Sequence, residues 1–384
     1  MNIGFDAKRA YHNPTGLGQY SRTLISSLAT NFPQHQYFLF NPKLSNLFHF
    51  HDLSNVKEVL PQSFLSKKFS SAWRSNWVKK DLKKFKIDLY HGLSHEIPVN
   101  MQQIGVKSVV TIHDLIHERY PEQYKFIDRK IYTKKFRYAC AHADKVIAVS
   151  NQTKQDIIDF YQTPADKIDV CYQSCHAAFG VKVSADVKQI IKQQYQLPDQ
   201  YFLYVGSIIE RKNLLNICKA IYHLRKEVNI PLVVIGNGGE YKQKVKEYIR
   251  FNRLEEHIIF LSDQPAAKCS PTFQSAVDFP AIYQMAIAMI YPSVFEGFGI
   301  PVLEALNSHI PVITSNVSCL PEAGGDGAFY VDPTKPDEIA EQMKLILSDK
   351  TFVKQQVEKG WQHAQRFTNY NTAAAVMNVY EKLF

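Results

Sequence analysis

Short apolar runs alternate with amphipathic stretches along this chain, and the alternation is repeated in two halves. We predict strands at residues 2–6, 36–40, 87–91, 108–112 and 145–150 in the first half, and at 201–206, 232–236, 258–262, 288–292 and 311–315 in the second. Helices are predicted between them, for example at 213–227 and 241–251. This rhythm indicates parallel sheets with helices on both faces. The chain has 384 residues, which is too many for one domain with a single hydrophobic core and sufficient for two α/β domains.

The division between the two halves is expected where the strands pause, between about residues 179 and 198. We therefore predict domains at 1–180 and 181–360, followed by a helical segment at 361–384 that packs back towards the first domain. This last segment should be interrupted near residues 367–371. Ser150 is a predicted N-cap for a helix that begins near Asn151.

Composition excludes several classes of protein. No apolar run reaches the roughly 18–20 residues that span a bilayer, and the first residues lack the pattern of a signal peptide, so we expect a cytoplasmic protein. The six cysteines show no metal-ligand spacing and are expected to be free thiols. The net charge of +9 favours anionic partners without choosing among nucleotides, phospholipids and nucleic acids.

Ligands of open α/β sheets bind at the carboxyl ends of the strands, and the loop at 293–305 is the strongest candidate there. Gly297 and Gly299 allow close approach of the backbone, and Pro301 suits a first helical turn. A helix start offers N–H groups to a phosphate, and we expect Glu304 in its first turn. Glu296 and Glu304 can accept hydrogen bonds from sugar hydroxyls. The alternative is a glycine-containing turn with two solvated acids.

The loop at 205–213 follows the first strand of the second half. Arg211 and Lys212 lie just before a predicted helix, where two cations are unfavourable unless an anion joins them. Arginine binds phosphate through two parallel hydrogen bonds, and lysine adds a point charge. The alternative is a solvated surface pair.

Two loops of the first half carry weaker signals. The turn at 13–20 contains Gly16 and Gly18 but matches neither G-x-G-x-x-G nor a Walker loop, and a plain turn is as good an interpretation as a phosphate-facing loop. His113 ends the predicted strand 108–112 and could handle a proton or donate a hydrogen bond there. A structural histidine is the alternative. If the two halves face each other, all four loops line one cleft.

Taken in order, these motifs resemble glycosyltransferase family 4. The resemblance rests on T-G-L-G-Q-Y at 15–20, T-I-H-D at 111–114, V-G-S-I-I-E-R-K-N at 205–213, E-G-F-G-I-P-V-L-E at 296–304, S-N-V-S-C-L-P-E at 315–322 and V-D-P at 331–333. It implies a GT-B fold, an α/β architecture of two facing Rossmann-like domains with a cleft between them. The first domain would bind the acceptor and the second the nucleotide-sugar donor.

The resemblance also implies roles for individual residues. Arg211 and Lys212 would neutralise the donor diphosphate, Glu304 would hold the ribose hydroxyls, and Glu296 would contact the donor sugar, near His113. We take Glu296, His113, Arg211 and Lys212 as candidate catalytic residues. The remaining donor-binding candidates are glycines and residues at a helix start: Gly16, Gly18, Gly206, Gly297, Phe298, Gly299 and Ile300.

Retaining members of this family are thought to react on one face of the sugar, with the leaving diphosphate helping to deprotonate the acceptor. The chemical task is then to stabilise the charge that develops on the diphosphate. We expect no cofactor and no metal, because no D-x-D motif stands in a suitable loop. The R-K-N and E-G-F-G-I-P context resembles bacterial mannosyltransferases, which implies GDP-mannose as the donor, with UDP-sugars still open. Residues 263–278 depart from the family pattern and suggest an inserted loop. The nucleotide base of the donor would lie near this region, so the identity of the base stays open.

The segment 64–86 combines eight Lys or Arg residues and one acid with Trp73, Trp77 and three phenylalanines. Trp73 and Trp77 are four residues apart and should share a helix face. Basic and aromatic helices can lie on anionic membranes, and a glycan or lipid-linked acceptor would make such contact useful. The alternative is a solvated helix whose aromatic residues pack onto the first domain.

Three rival functions remain. A sugar- or nucleotide-binding protein without turnover would not need Arg211, Lys212 and both glutamates. A GT-B phosphorylase or a sucrose- or trehalose-type synthase is a rival within enzymes, although the chain is short for a phosphorylase. A nucleic-acid partner is not expected, because no nucleic-acid-binding motif is present.

Overall fold

The computed structural model describes residues 1–45, 48, 50 and 53–384. They divide into two compact units. Unit 1 comprises Met1–Ser174 and Asn369–Phe384, and unit 2 comprises Cys175–Thr368. Each unit contains one parallel sheet with helices, as the sequence predicts.

Unit 1 is built on a parallel sheet with the strand order β3-β2-β1-β4-β5-β6-β7. Its strands are β1 (Asn2–Asp6), β2 (Gln36–Phe40), β3 (Val56–Val59), β4 (Leu89–Gly92), β5 (Lys107–Ile112), β6 (Lys145–Ala148) and β7 (Ile168–Val170). Its helices before residue 175 are α1 (Lys8–His12), α2 (Gly16–Asn31), α3 (Phe64–Lys68), α4 (Ser70–Ala72), α5 (Val78–Lys84), α6 (Ile116–Arg119), α7 (Phe126–His142) and α8 (Asn151–Tyr161). The predicted cap of α8 is confirmed, because the Ser150 side chain accepts a hydrogen bond from the Thr153 N–H.

Unit 2 repeats the arrangement with the strand order β10-β9-β8-β11-β12-β13, again parallel. Its strands are β8 (Phe202–Val205), β9 (Leu232–Ile235), β10 (Ile258–Phe260), β11 (Ala288–Tyr291), β12 (Val312–Ser315) and β13 (Phe329–Val331). Its helices are α9 (Ala185–Gln194), α10 (Leu214–Leu224), α11 (Glu240–Phe251), α12 (Pro265–Cys269), α13 (Pro271–Gln274), α14 (Phe279–Met285), α15 (Ile300–Asn307), α16 (Leu320–Gly324), α17 (Pro336–Ser348) and α18 (Lys350–Ala364). In both sheets the central strands are fully buried.

The sequence predicted the interior strands and the edge strand β10, and it missed three others. The missed strands are β3, β7 and β13, and each lies at the edge of its sheet. An edge strand is covered less completely than a central one, so it needs fewer apolar residues; β3, for instance, has the sequence VKEV and only one fully buried residue. β3 and β7 are therefore interrupted by polar residues, and β13 is only three residues long, so none of them shows the long apolar run that reveals a central strand.

The chain passes into unit 2 at Cys175, six residues before the predicted boundary at 180/181. The physical reason is local packing within unit 2. The Cys175 thiol accepts a hydrogen bond from the Asn307 amide at 3.3 Å, and the ring of Phe179 lies 5.0 Å from that of Tyr283. The last strand of unit 1 before this point ends at Val170, so the pattern of strands could not show where the chain enters unit 2.

The final helical segment is interrupted as predicted, between α18 and α19 (Asn369–Glu381). Only the part from Asn369 onwards belongs to unit 1. We predicted that residues 361–368 belong to this final segment, but they lie in unit 2. There the ring of Phe367 packs 5.5 Å from Phe298.

Residues 263–278 are largely helical, whereas their two prolines and scattered polar residues predicted an inserted loop. They form α12 and α13, each with its proline in the first turn. A buried polar cluster fastens them to unit 2, because the Tyr195 hydroxyl bonds Asp278 at 2.5 Å and Ser270 at 2.8 Å. The prolines therefore start helices here rather than exclude them.

Candidate functional site

The turn that carries Arg211 and Lys212 follows β8 as a single 3₁₀ turn, Glu210–Lys212. Asn213 closes it with a left-handed backbone (φ 61°), and its side chain donates hydrogen bonds to the carbonyls of Pro292 (3.1 Å) and Pro333 (2.6 Å). These bonds hold the turn against the end of β11. Arg211 is buried, so the alternative of a solvated surface pair is wrong for this residue.

Glu296 lies at the centre of a hydrogen-bonded cluster of unit 2. Its Oε1 atom pairs with the Arg211 guanidinium at 2.9 Å and accepts hydrogen bonds from the hydroxyls of Tyr291 and Ser293, both at 2.8 Å. The ammonium of Lys212 lies 3.6 Å away. Burial would raise the pKa of Glu296, but the charges of Lys212 and Arg211 and these hydrogen bonds lower it to about 2. Glu296 is therefore ionised at neutral pH.

Gly206, at the end of β8, leaves room for this cluster. A Cβ atom at this position would lie 3.2 Å from the Lys212 ammonium and 3.6 Å from the ring of Tyr291. The backbone of Gly206 also has a positive φ of 154°. Any side chain here would press on Lys212, which explains a glycine at this candidate position without a direct ligand contact.

Helix α15 begins immediately after the glycine loop. Gly299 has a left-handed backbone (φ 116°), Pro301 lies in the first turn as predicted, and among the described residues no side chain caps the N-terminus. Phe298 is buried, whereas Ile300 at the helix start is half-buried. The first N–H groups of the helix are thus uncapped by side chains, as a phosphate-binding helix start requires.

Glu304 lies in the second turn of α15 rather than the first, because the helix starts at Ile300. Its Oε2 atom accepts a hydrogen bond of 2.7 Å from the hydroxyl of Tyr283. Burial raises the pKa of Glu304 to about 7, against the lowering effects of that hydrogen bond and of Lys212. The two glutamates of one motif therefore have very different proton affinities.

In unit 1, His113 follows β5 and is buried. Its Nε2 atom lies 2.9 Å from the carbonyl oxygen of Leu93, so Nε2 carries the proton and donates it; Nδ1 then accepts from the side-chain amide of Gln173 at 2.8 Å. Burial lowers the pKa of His113 to about 4. The ring is neutral, and both nitrogens are engaged within unit 1. The arrangement favours the structural alternative over proton handling.

The glycine turn before α2 has a local explanation for one of its two glycines. A Cβ atom on Gly18 would collide with the carbonyl oxygens of Asn13 and Arg9, whereas one on Gly16 would meet no atom of the described residues within 4 Å. Asn13 also fixes the turn by accepting hydrogen bonds from the N–H and hydroxyl of Thr15, both at 2.7 Å. Gly18 is therefore required by packing, whereas the described part of the chain gives no such reason for Gly16.

The segment 64–86 does not have the arrangement that we predicted. Residues Trp73–Trp77 form a π-helical turn, in which residues five apart, rather than four, are hydrogen-bonded. Val78, five residues after Trp73, is therefore buried like Trp73, whereas Trp77 is 37% exposed. Trp73 is buried, packs against Phe40 and donates its indole N–H to Asp81 at 2.7 Å.

Sequence reasoning missed several residues that shape these sites. Ser293 begins the predicted loop 293–305 and Tyr291 ends the strand before it, but neither was predicted to contact Glu296, although their proximity to it was a usable signal. Tyr283 and Gln173 lie far along the chain from the side chains they contact, so no spacing could have revealed them. A second glycine loop was also missed: Cβ atoms on Gly236 and Gly238 would collide with the carbonyls of Gly206 and Ile208.

Comparisons with known proteins agree with this geometry. Residues 14–174 match the family described as Glycosyltransferase Family 4, and residues 187–366 match Glycosyl transferases group 1. The chain belongs to these families and is a glycosyltransferase. The resemblance noted in the sequence is thereby confirmed.

The relatives include two mannosyltransferases of Escherichia coli. The chain is 28% identical over 401 residues to O-antigen chain mannosyltransferase B, with all of both chains covered. It is 27% identical over 300 residues to serotype-specific mannosyltransferase WbdA; that match covers 76% of this chain and 36% of WbdA. The structure of Anabaena HepE in complex with UDP and glucose is similar in fold, with a TM-score of 0.72 at 16% identity over 99% of both chains. The predicted GT-B fold with two Rossmann-like domains is confirmed.

Proposed function

We propose that this glycosyltransferase moves mannose from GDP-mannose to a glycan or lipid-linked acceptor in bacterial cell-surface polysaccharide synthesis, with retention of the anomeric configuration. The observation that carries the donor site is the cluster of Arg211, Lys212 and Glu296 at the carboxyl ends of β8 and β11, beside the uncapped start of α15. The two mannosyltransferase relatives support mannose and an O-antigen type of product.

The chemistry follows from where these charges lie. The bond between the sugar C1 and the diphosphate oxygen breaks, the acceptor oxygen bonds to C1 on the same face, and the acceptor proton passes to the leaving diphosphate. Arg211, Lys212 and the start of α15 stabilise the negative charge that develops on the diphosphate. Glu296 lies beside the sugar and stabilises its developing positive charge. No protein nucleophile and no metal are needed.

The donor is tested by thermal stabilisation with GDP-mannose, GDP, UDP-glucose and UDP-galactose. Saturation at about 100 times Kd adds roughly 2.7 kcal/mol, which raises the melting temperature of a domain of this size by about 5–11 °C. We expect this shift with GDP-mannose and not with the UDP-sugars. Stabilisation by UDP-sugars alone would make the assignment of the base wrong.

The reaction itself is tested with GDP-mannose and a synthetic mannose-terminated oligosaccharide. We expect GDP release that depends on the acceptor, and a new α-mannosidic signal by NMR, since GDP-mannose is an α-linked donor. A β-linked product would refute retention. Donor binding without acceptor-dependent release from a panel of such glycans would favour a binding protein.

We further propose that unit 1 contacts anionic membranes through part of the segment 64–86. Phe64, Leu65 and Phe69 are 76%, 59% and 50% exposed, and along the chain they lie on either side of Lys67 and Lys68, which end α3. Large exposed apolar side chains among lysines suit the interface of an anionic bilayer. In the described part of the chain, no helix has the length and apolarity needed to cross a membrane.

The membrane proposal is tested by co-sedimentation with vesicles of phosphatidylglycerol and phosphatidylethanolamine. The variant replaces Phe64 and Phe69 by Ser and Lys67 and Lys68 by Glu, and it leaves the buried Trp73 intact. The matched control is Phe251→Ser, which removes a side chain that is 88% exposed in unit 2. We expect the fourfold variant to lose sedimentation and the control to retain it. Unchanged sedimentation of the fourfold variant would favour a solvated helix.

A further inference from the structure

Two buried tyrosines each donate a hydroxyl to one of the two motif glutamates. Tyr291 donates to Glu296 and Tyr283 donates to Glu304. We propose that Tyr291 and Tyr283 are positioning residues, each of which fixes one oxygen of its glutamate and leaves the other oxygen for the hydroxyls of the donor. This inference rests on the proposed function, since it takes Glu296 and Glu304 as donor contacts.

Tyr291 joins the catalytic cation to the catalytic carboxylate. Its hydroxyl accepts a hydrogen bond from the Lys212 ammonium at 2.7 Å and donates one to Glu296 Oε1 at 2.8 Å. The side chain is fully buried, and the ammonium also lies 5.1 Å from the centre of its ring. Because the ammonium is 3.6 Å from the carboxylate, the hydroxyl bridges two groups that make no hydrogen bond with each other.

Tyr283 holds the second glutamate from a different element. It lies on α14, is fully buried, and packs its ring 5.0 Å from that of Phe179. Its hydroxyl bonds Glu304 Oε2 at 2.7 Å. A packed ring has few rotamers, so this hydroxyl defines where the carboxylate of Glu304 can lie on α15.

Each of the two glutamates uses a single carboxylate oxygen for its described contacts. Every described hydrogen bond and ion pair of the Glu296 carboxylate is made by Oε1, and the described hydrogen bond of the Glu304 carboxylate is made by Oε2. One oxygen of each carboxylate therefore remains for a ligand hydroxyl. A carboxylate fixed at one oxygen presents the other in a defined direction, which lowers the reorganisation needed when the donor binds or reacts.

Tyr291→Phe keeps the ring and removes only the bridge. We expect kcat to fall about tenfold, the effect of losing one hydrogen bond to a charged group. The donor Kd should change by less than about twofold, because Arg211 and Ser293 still hold Glu296 and the charge on the sugar develops only during transfer. If Tyr291→Phe does not fold, Ser293→Ala removes another neutral donor to the same oxygen and should show the same loss of kcat at constant Kd.

Tyr283→Phe should act on donor binding instead. We expect the donor Kd to rise about tenfold with a smaller change in kcat, because ribose does not change during transfer. The pH dependence of donor binding should also move. The groups that face Glu304 are Tyr283, Lys212 and Cys175, and the Tyr283 hydroxyl lowers the pKa of Glu304. Its removal should shift the midpoint of donor binding to higher pH, whereas Tyr291→Phe should leave that midpoint in place.

The matched control is Tyr201→Phe. Tyr201 is fully buried in unit 2, and its hydroxyl donates to the carbonyl of Ile282 rather than to a carboxylate. We expect this variant to lower the melting temperature comparably while leaving kcat, Kd and the pH midpoint unchanged. Kinetics are measured below the unfolding transition of each variant.

The outcomes separate the two proposals. If Glu296→Gln and Glu304→Gln impair transfer or donor binding but the tyrosine variants behave like Tyr201→Phe, the positioning roles are wrong and the proposed function stands. If the glutamate variants themselves leave kcat and Kd unchanged, the donor site is wrong as well. An equal effect of Tyr291→Phe and Tyr283→Phe on both constants would also overturn the division of roles.

Discussion

Arg211 and Lys212 are adjacent cations, yet their replacement by alanine should affect unit 2 very differently. Arg211 is buried, donates a hydrogen bond to the carbonyl of Phe295 and pairs with Glu296 at 2.9 Å. Arg211→Ala leaves the Glu296 carboxylate, which is only 12% exposed, and a backbone carbonyl without their main partner, which costs roughly 3–5 kcal/mol. For a domain of this size that corresponds to about 6–20 °C in melting temperature.

Lys212→Ala should cost much less stability. The ammonium lies 3.6 Å from Glu296 and makes its hydrogen bond to the neutral hydroxyl of Tyr291, so we expect a loss of about 1 kcal/mol, or roughly 2–4 °C. Both variants should lower kcat by at least about tenfold, because each loses a charge that stabilises the leaving diphosphate.

The assay is thermal unfolding by circular dichroism, followed by steady-state kinetics at a temperature where both variants are folded. Lys212→Ala serves as the control for loss of charge without loss of the buried pair. An Arg211→Ala protein that melts like the unmodified protein would show that the pair does not hold this loop. Near-normal kcat in both variants would remove the two residues from the donor site.

Four further outcomes are expected. Glu304→Gln should raise the donor Kd more than it lowers kcat, whereas Glu296→Gln should lower kcat with donor Kd mostly intact; calorimetry with steady-state kinetics checks this, and the reverse assignment would contradict it. Donor affinity should fall as the pH drops through about 7, because the carboxylate of Glu304 must be ionised to accept ribose hydroxyls. The stability of the donor-free protein should change in the opposite sense. The raised pKa means that the native state holds the Glu304 proton between pH 4.5 and about 7, so its stabilisation is lost as the pH rises through this window; Glu304→Gln should remove both dependences. Transfer should continue in EDTA, and activity that returns only with Mg²⁺ or Mn²⁺ would refute the metal-free mechanism.

The amino-acid sequence by itself determined the alternation of strands and helices, and with it the two parallel sheets. Central strands such as β8 and β11 are buried on both faces, so they must be continuous apolar runs. Their carboxyl ends are marked by glycines and charged residues, which is why the loops of Arg211 and Glu296 were identified without a structure. The edge strands β3, β7 and β13 are covered less completely, carry a weaker signal for the same physical reason and were missed.

Only the tertiary structure determined which side chains form hydrogen bonds and ion pairs, and how their pKa values are shifted. Tyr283 bonds Glu304 and Gln173 bonds His113 across distances in sequence that no helix or strand periodicity predicts. The opposite pKa shifts of Glu296 and Glu304 depend on distance and burial, which are properties of the folded chain. The same is true of Trp73 and Trp77, because a π-helical turn set by packing, rather than their spacing of four, placed one side chain inside unit 1 and the other at its surface.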